Sequence, residues 1–186
     1  MNDTLSTISG VVFLAGFAPY IAAILRRKAK PSKASWLIWA ALDWIMFIGL
    51  LHKHAVNGLI VGALIGATLV AILSLRYGMP GWTALDITCA IGATAGVALW
   101  LLLDNANACI IACAITMFIG SFPTFASAWK DPKRESREAW LLYFIACVIG
   151  LLAVPQWTIA HAAVPVSWTA TESIMMFLLF LRPHWK

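Results

Sequence analysis

Two acidic residues lie deep inside long apolar runs of the sequence. Asp43 follows the segment "SWLIWAAL", and Glu172 is near the centre of the last apolar run. A charged residue at the centre of a membrane helix costs ~2.5–3.5 kcal/mol on insertion scales, so such a residue usually faces a cavity or a partner. The two carboxyl groups are therefore expected to bind a cationic or hydroxyl-rich solute, or to carry a coupling proton. A hydrogen-bonded structural acid is the alternative.

A tryptophan precedes each acid by one helical turn. Trp39 lies four residues before Asp43, and Trp168 lies four residues before Glu172. Residues four apart share a helix face, so each pair is expected to present an aromatic plane and a carboxyl group to the same space. Further aromatic candidates for the same pocket are Trp36, Trp44 and Trp140.

No constellation typical of catalysis or metal binding occurs beside these residues. The sequence has neither a CxxC nor an HExxH spacing, and no nucleophile–base pair stands out. An enzyme, a metal and a cofactor are therefore not expected. A retinal photoreceptor is excluded as well, because the last apolar run holds no lysine for a Schiff base.

The composition indicates the environment in which these residues must be positioned. Hydrophobic residues make up 62% of the 186-residue chain and charged residues only 11%, against ~25% charged in an ordinary soluble domain. These values predict an all-α integral membrane protein. The net charge of +5 comes from basic residues in short loops between apolar runs, so nucleic acid is not an expected partner.

Seven apolar runs are long enough to be membrane helices. A hydrocarbon core of ~30 Å needs ~20 helical residues to cross it. The predicted transmembrane helices are about 5–25, 35–52, 56–75, 83–103, 106–129, 138–155 and 161–181. In the third, Gly58, Gly62 and Gly66 recur every fourth residue, which predicts close packing against a neighbouring helix.

The distribution of basic residues predicts the orientation. With the N-terminus outside, twelve of the 13 lysines and arginines lie in inner segments, and only Lys53 lies outside. Basic loop residues are retained on the cytoplasmic side, so the N-terminus is expected outside and the C-terminus inside. The expected location is a bacterial cytoplasmic membrane, with the lipid bilayer as the protein's surroundings.

The segments 16–39 and 120–143 resemble each other at an offset of 104 residues. The identical pairs are Gly16/Gly120, Pro19/Pro123, Ala22/Ala126, Ser32/Ser136, Trp36/Trp140 and Leu37/Leu141. Each copy has a proline-bearing helix, a basic loop and a tryptophan at the start of the next helix. Pro19 and Pro123 are interpreted as matching hinges, with a static kink as the alternative. The same offset aligns Asn57 with His161 near the outer ends of two helices, where they are further solute-binding candidates.

This repeated pattern resembles the SWEET and PQ-loop (MtN3-like) transporter superfamily. Ser35, sixteen residues after Pro19 and just before the next helix, also looks like part of a PQ-loop half. The chain is a divergent example, since Tyr20 and Thr124 replace the glutamines of the Pro-Gln dipeptides. The resemblance implies two parallel three-helix bundles, residues 1–78 and 105–186, joined by a linker helix in residues 79–104.

The resemblance also implies a function. A membrane transporter or facilitator would carry a small polar or aromatic solute by alternating access between the two bundles, with or without a linked proton. A non-transporting seven-helix receptor and a partner-binding membrane subunit remain as alternatives. Since one chain holds both repeats, a homo-oligomer is not required to complete the pathway, although the sequence leaves it open.

Overall fold

The computed structural model describes residues 3–31, 33–78, 81–103 and 105–182, and all regular elements in these ranges are helical. The α-helices are α1 (Asp3–Leu25), α2 (Lys33–His52), α3 (Gly58–Tyr77), α4 (Ala84–Leu103), α5 (Ala106–Gly120), α6 (Phe122–Lys130), α7 (Arg137–Leu152) and α8 (Ile159–Met176). A 3-10 turn, Pro132–Arg134, precedes α7, and a π-helical segment, Phe177–Leu181, continues α8.

Polar side chains begin three of these helices. Asn57 accepts a hydrogen bond from the backbone N–H of Ile60 at the start of α3. Asn105 does the same for two N–H groups at the start of α5, and Ser136 caps α7. Each cap gives a partner to N–H groups that the first helical turn leaves unpaired.

Five helical segments of the described chain are long and apolar enough to cross a membrane. They are Asp3–Leu25, Lys33–His52, Gly58–Tyr77, Ala106–Lys130 and Ile159–Leu181. These segments support the expectation of an all-α membrane protein. Helix α7 has 16 residues, which is shorter than the ~20 that a straight crossing needs.

Six helices close into a ring. Helix α3 packs between α1 and α2, and α8 packs between α5 and α7. The ring is completed where α1 meets α7 and where α2 meets α5, while α4 lies against α5 and α2. The interior of the ring is therefore bordered by α1, α2, α3, α5, α7 and α8.

The two prolines that align in sequence occupy different local structures. Helix α1 runs without interruption through Pro19. The corresponding span is divided at Ser121, and Pro123 lies in the first turn of α6. Proline is well accommodated there, because the first N–H groups of a helix have no intrahelical partner. The side chain of Pro123 lies outside the described residues.

Small residues bring three helices together at the end of the ring that is remote from the basic loops. A Cβ atom on Gly58 would collide with the carbonyl of Ser6, and one on Gly62 with the carbonyl of Gly10. The close helix packing predicted from the glycine spacing is thus present between α1 and α3. We call this region the small-residue contact; it comprises Ser6, Ser9, Gly10, Gly58, Gly62, Ala146 and Gly150.

Two hydrogen bonds strengthen the small-residue contact. The hydroxyl of Ser6 accepts from the backbone N–H of Gly58 at 2.8 Å, and the hydroxyl of Ser9 donates to the carbonyl of Ala146 at 2.8 Å. The two bonds tie α1 to α3 and to α7. This end of the ring is consequently closed by backbone-to-backbone approach.

Candidate functional site

A central cavity lies inside the ring, and each of the six ring helices contributes to its wall. It contains about 690 Å³ of empty space, counting its opening. Its lining includes Tyr20 near the end of α1 and Trp36 and Trp140 in the first turns of α2 and α7. The cavity therefore occupies the half of the ring next to the basic loops. We call it the aromatic cavity.

Aromatic side chains form most of this wall. Eight of the lining residues are aromatic: Phe13, Phe17, Tyr20, Trp36, Trp39, Trp140, Tyr143 and Trp168. The ring of Phe13 lies 4.8 Å from that of Tyr143 and 5.4 Å from that of Trp168, measured between centroids. Since these residues belong to α1, α7 and α8, the contacts between their rings join three helices.

Two glycines make room for rings of this cluster. A Cβ atom on Gly16 would lie 2.6 Å from the ring of Tyr143, and one on Gly66 would collide with the ring of Phe17. The glycines of α1 and α3 thus let rings pack directly against a neighbouring backbone. The sequence predicted a packing role for Gly66 but not the identity of the ring.

Two carboxyl groups are buried in this aromatic surrounding. Asp43 is 2% exposed and Glu172 is 6% exposed. In the described structure neither Oδ1 of Asp43 nor Oε2 of Glu172 has a hydrogen-bond partner. The hydroxyl of Tyr143 and the Nε1 of Trp168 are likewise buried and unpaired. Buried polar groups without partners are rare and costly, so these atoms on one cavity favour a site that a polar ligand completes.

The charge of the lining is one-sided. Among the described residues that line the aromatic cavity there are two carboxylic acids and no lysine, arginine or histidine. Neither acid has a basic side chain beside it in this wall. A bound solute is the available source of a compensating charge or of hydrogen-bond donors.

Most of the solute-binding residues predicted from the sequence meet at this cavity. Six of the eight line it: Trp36, Trp39, Asp43, Trp140, Trp168 and Glu172. The two Trp/acid pairs, chosen for their spacing, both contribute to the same space.

The other two predicted residues lie elsewhere. Asn57 and His161 line a separate, smaller cavity beside the small-residue contact, with about 320 Å³ of empty space counting its opening. There Asn57 caps α3, and the Nδ1 of His161 lies 2.9 Å from the hydroxyl of Thr158. The two residues that align in sequence therefore lie at the same cavity, but this is not the aromatic cavity.

The prediction that Trp44 lines the pocket is wrong. Its side chain is 48% exposed on the outside of α2 and packs edge-on against Phe47. The physical reason is the helical rotation of ~100° per residue, which turns Trp44 away from the face occupied by Asp43.

Several cavity residues were missed in the sequence. Phe13, Phe17 and Tyr20 line the wall from α1, and their i, i+4, i+7 spacing is the pattern of one helix face. Tyr143 follows Trp140 by three residues on α7 and lies on the same face. The recurrence of aromatic residues was therefore a visible signal for both groups.

Pro165 was also missed. It lies inside α8, one turn before Trp168, and lines the smaller cavity. Because proline in a helix interior has no N–H to donate, α8 lacks one backbone hydrogen bond between the two cavities.

Glu135 is a further residue that the sequence did not single out. It lies after the 3-10 turn, and its Oε2 accepts a hydrogen bond from the Nε1 of Trp140 at 3.0 Å. Burial raises the pKa of Glu135 to about 7, although the hydrogen bond from Trp140 acts in the opposite direction. A carboxyl group whose pKa is near neutral is thus hydrogen-bonded to a tryptophan that lines the aromatic cavity.

Comparison with protein-family models, curated proteins and solved structures gives no match for this chain. In the described residues no group of three or more histidines, cysteines, aspartates and glutamates is arranged to hold a metal ion. The properties of the aromatic cavity itself must therefore carry the functional interpretation.

Proposed function

We propose that the chain is an integral membrane carrier that moves a small polar or aromatic solute by alternating access. The observation that carries this proposal is the aromatic cavity, which all six ring helices line and which holds two buried carboxyl groups, each with one oxygen that lacks a hydrogen-bond partner. A cavity shared by every ring helix changes shape when those helices move relative to each other. Such a site suits transport better than a pocket within one rigid bundle.

The order of the helices supports two parallel repeats. In the first half α3 lies between α1 and α2, and in the second half α8 lies between α5 and α7. The third predicted membrane helix of each half, α3 or α8, is thus the middle one, in agreement with the sequence offset of 104 residues. We propose that residues 1–78 and 105–186 are the two moving bundles and that 79–104 is the linker, as in the SWEET and PQ-loop plan.

The proposed orientation places the basic loops, and with them the aromatic cavity, toward the cytoplasm of a bacterial cell. The small-residue contact then closes the outer end. This arrangement is that of an inward-facing carrier, and the outward-facing state would require α1 to separate from α3 or α7.

Solute uptake into liposomes tests the proposal. The reconstituted protein would be supplied with sugars, amino acids, nucleosides and vitamin precursors at pH 5.5 and 7.5. We expect saturable uptake of at least one class, strongly reduced by Asp43→Asn and by Glu172→Gln. The control is Asp3→Asn, since Asp3 is exposed at the start of α1.

Two results would count against a carrier. Uptake that is unchanged in both cavity variants would remove the acids from the mechanism. Tight binding without any uptake would instead favour the non-transporting receptor, and the absence of both would favour a partner-binding subunit.

A further inference from the structure

We infer that the aromatic cavity selects organic cations, with a quaternary ammonium or flat cationic ring, over neutral solutes of the same shape. This inference rests on the proposed function, because it names the class of solute for the same site. The reasons are the kind of side chains in the wall, the charge that the wall lacks, and the polar atoms left unpaired.

The aromatic faces supply the first reason. Four indole rings, those of Trp36, Trp39, Trp140 and Trp168, line one cavity. A cation within ~6 Å of an aromatic face is attracted by the ring quadrupole, most strongly by tryptophan, and the attraction grows when water is excluded. Rings on several sides of a cavity are the arrangement that recognises quaternary ammonium groups.

The second reason is the charge balance. Asp43 and Glu172 stand on different helices, α2 and α8, and both reach the cavity. A buried carboxylate is costly unless it is paired. The described lining offers no cationic side chain in return, so a cationic solute is the complement that the wall lacks.

The third reason is that the wall holds hydrogen-bond donors without partners. Trp168 and Tyr143 line the same cavity, and the Nε1 of Trp168 and the hydroxyl of Tyr143 are buried hydrogen-bond donors without a partner. A carbonyl, hydroxyl or ether oxygen carried by the cation would give either donor a partner once its side chain turns toward the cavity. An anionic solute, by contrast, would have to enter a wall that already holds two acids and no base, and like charges repel strongly at low dielectric.

A pair of probes that differ only in charge tests the inference. Phenyltrimethylammonium and tert-butylbenzene have nearly the same shape, while only the first is cationic; benzoate serves as the anion. Binding to the full-length protein in lipid nanodiscs would be followed by tryptophan fluorescence. We expect the cation to bind at least ~10-fold more tightly than its neutral counterpart and benzoate to show no binding.

The variants separate charge from stacking. Asp43→Asn and Glu172→Gln should each reduce the preference for the cation several-fold and leave tert-butylbenzene binding nearly unchanged. Trp168→Leu should weaken binding of the cation further. Trp157→Leu is the matched control and should leave this binding unchanged, because Trp157 is 71% exposed. Circular dichroism of each variant checks that the helices are retained.

The outcomes distinguish this inference from the proposed function. Equal affinity for the cationic and the neutral probe would overturn the cation preference. Uptake of a neutral solute in the liposome assay would still support the proposal that the protein is a carrier. Cation-selective binding without uptake supports the inference and counts against transport. A preference that survives in the double variant Asp43→Asn with Glu172→Gln would overturn the role of the acids.

Discussion

The two ends of the helix ring are built from the same helices but with opposite side-chain sizes. Helix α1 contributes Ser6 and Gly10 to the small-residue contact and Phe13 and Phe17 to the aromatic cavity. Helix α7 changes from tryptophan and tyrosine at its start to alanine and glycine near its end. The same pairs of helices can therefore touch at one end and enclose empty space at the other.

This difference indicates how stability and function are divided. Close backbone approach gives dense packing and leaves no room for a ligand. The aromatic cavity lacks such contacts on its inner side and leaves polar atoms unpaired, so a ligand should stabilise the folded protein by an amount that grows with the ratio of its concentration to its dissociation constant. We expect substitutions at the small-residue contact to change stability and substitutions at the aromatic cavity to change binding.

The largest effect is expected for Gly58→Ala. The added methyl group would meet the carbonyl of Ser6, and because this atom belongs to the backbone, α1 and α3 must move apart. Overpacking of this kind costs ~1–3 kcal/mol, and a thermal-shift assay should show a clearly lower melting temperature. In the Gly49→Ala control a Cβ atom lies 3.4 Å from Ile110, an ordinary contact, and little change is expected. Equal stability of the two variants would contradict the importance of the small-residue contact.

The second effect concerns pH and acts at the cavity end. The pKa of Glu135 is raised from 4.5 to about 7 by burial, so between these values the folded protein holds a proton that the unfolded chain has released. The contribution of Glu135 to the free energy of unfolding is therefore fully present below pH 4.5 and is lost as the pH rises through 7. We expect a loss of ~1–2 kcal/mol between pH 5 and 8, less than the full shift implies, since the carboxyl group is partly exposed.

Thermal unfolding of Glu135→Gln at a series of pH values measures this contribution. The variant should lose the pH dependence, while Glu138→Gln, which removes an exposed carboxyl group, should retain it. Hydrogen exchange should locate the change at the start of α7, beside Trp140, and not at the small-residue contact. A wild-type protein whose stability is flat over this range would refute the prediction.

The smallest effect on stability is expected for Tyr143→Phe. The variant removes a buried hydroxyl that has no partner, so the stability of the empty protein should be unchanged or higher by up to ~1 kcal/mol. We nevertheless expect solute binding to weaken several-fold, because Tyr143 lines the aromatic cavity and a bound solute would give its hydroxyl a partner. Tyr77→Phe, outside the cavity lining, is the control. A loss of stability without any loss of binding would assign Tyr143 to the structure alone.

The sequence already contained much of the aromatic cavity. Helical periodicity relates residues four apart on one helix, so the spacing of Trp39 and Asp43, and of Trp168 and Glu172, was sufficient to place each pair on a common face. The apolar length of the helices and the glycine spacing of α3 were equally readable, because both depend on local pattern and on the thickness of a membrane.

Which helices would enclose the cavity depended on long-range packing. The sequence gives no direct measure of the distance between α1 and α7, and the contribution of Phe13, Phe17 and Tyr143 arises where these helices meet. The direction of Trp44 and the location of Asn57 and His161 in a separate cavity follow from the same helix arrangement.

The chain by itself determined the apolar helical character, the glycine spacing of α3 and the paired spacing of its acids and tryptophans, since these depend on composition and helical period. Only the tertiary structure decided that eight aromatic residues from four helices line the same cavity as both acids, that Glu135 accepts a hydrogen bond from one of them, Trp140, and that Ser121 divides one span. The physical reason is that the side-chain face of a helix is a local property, whereas its partner is selected by the packing of the whole ring.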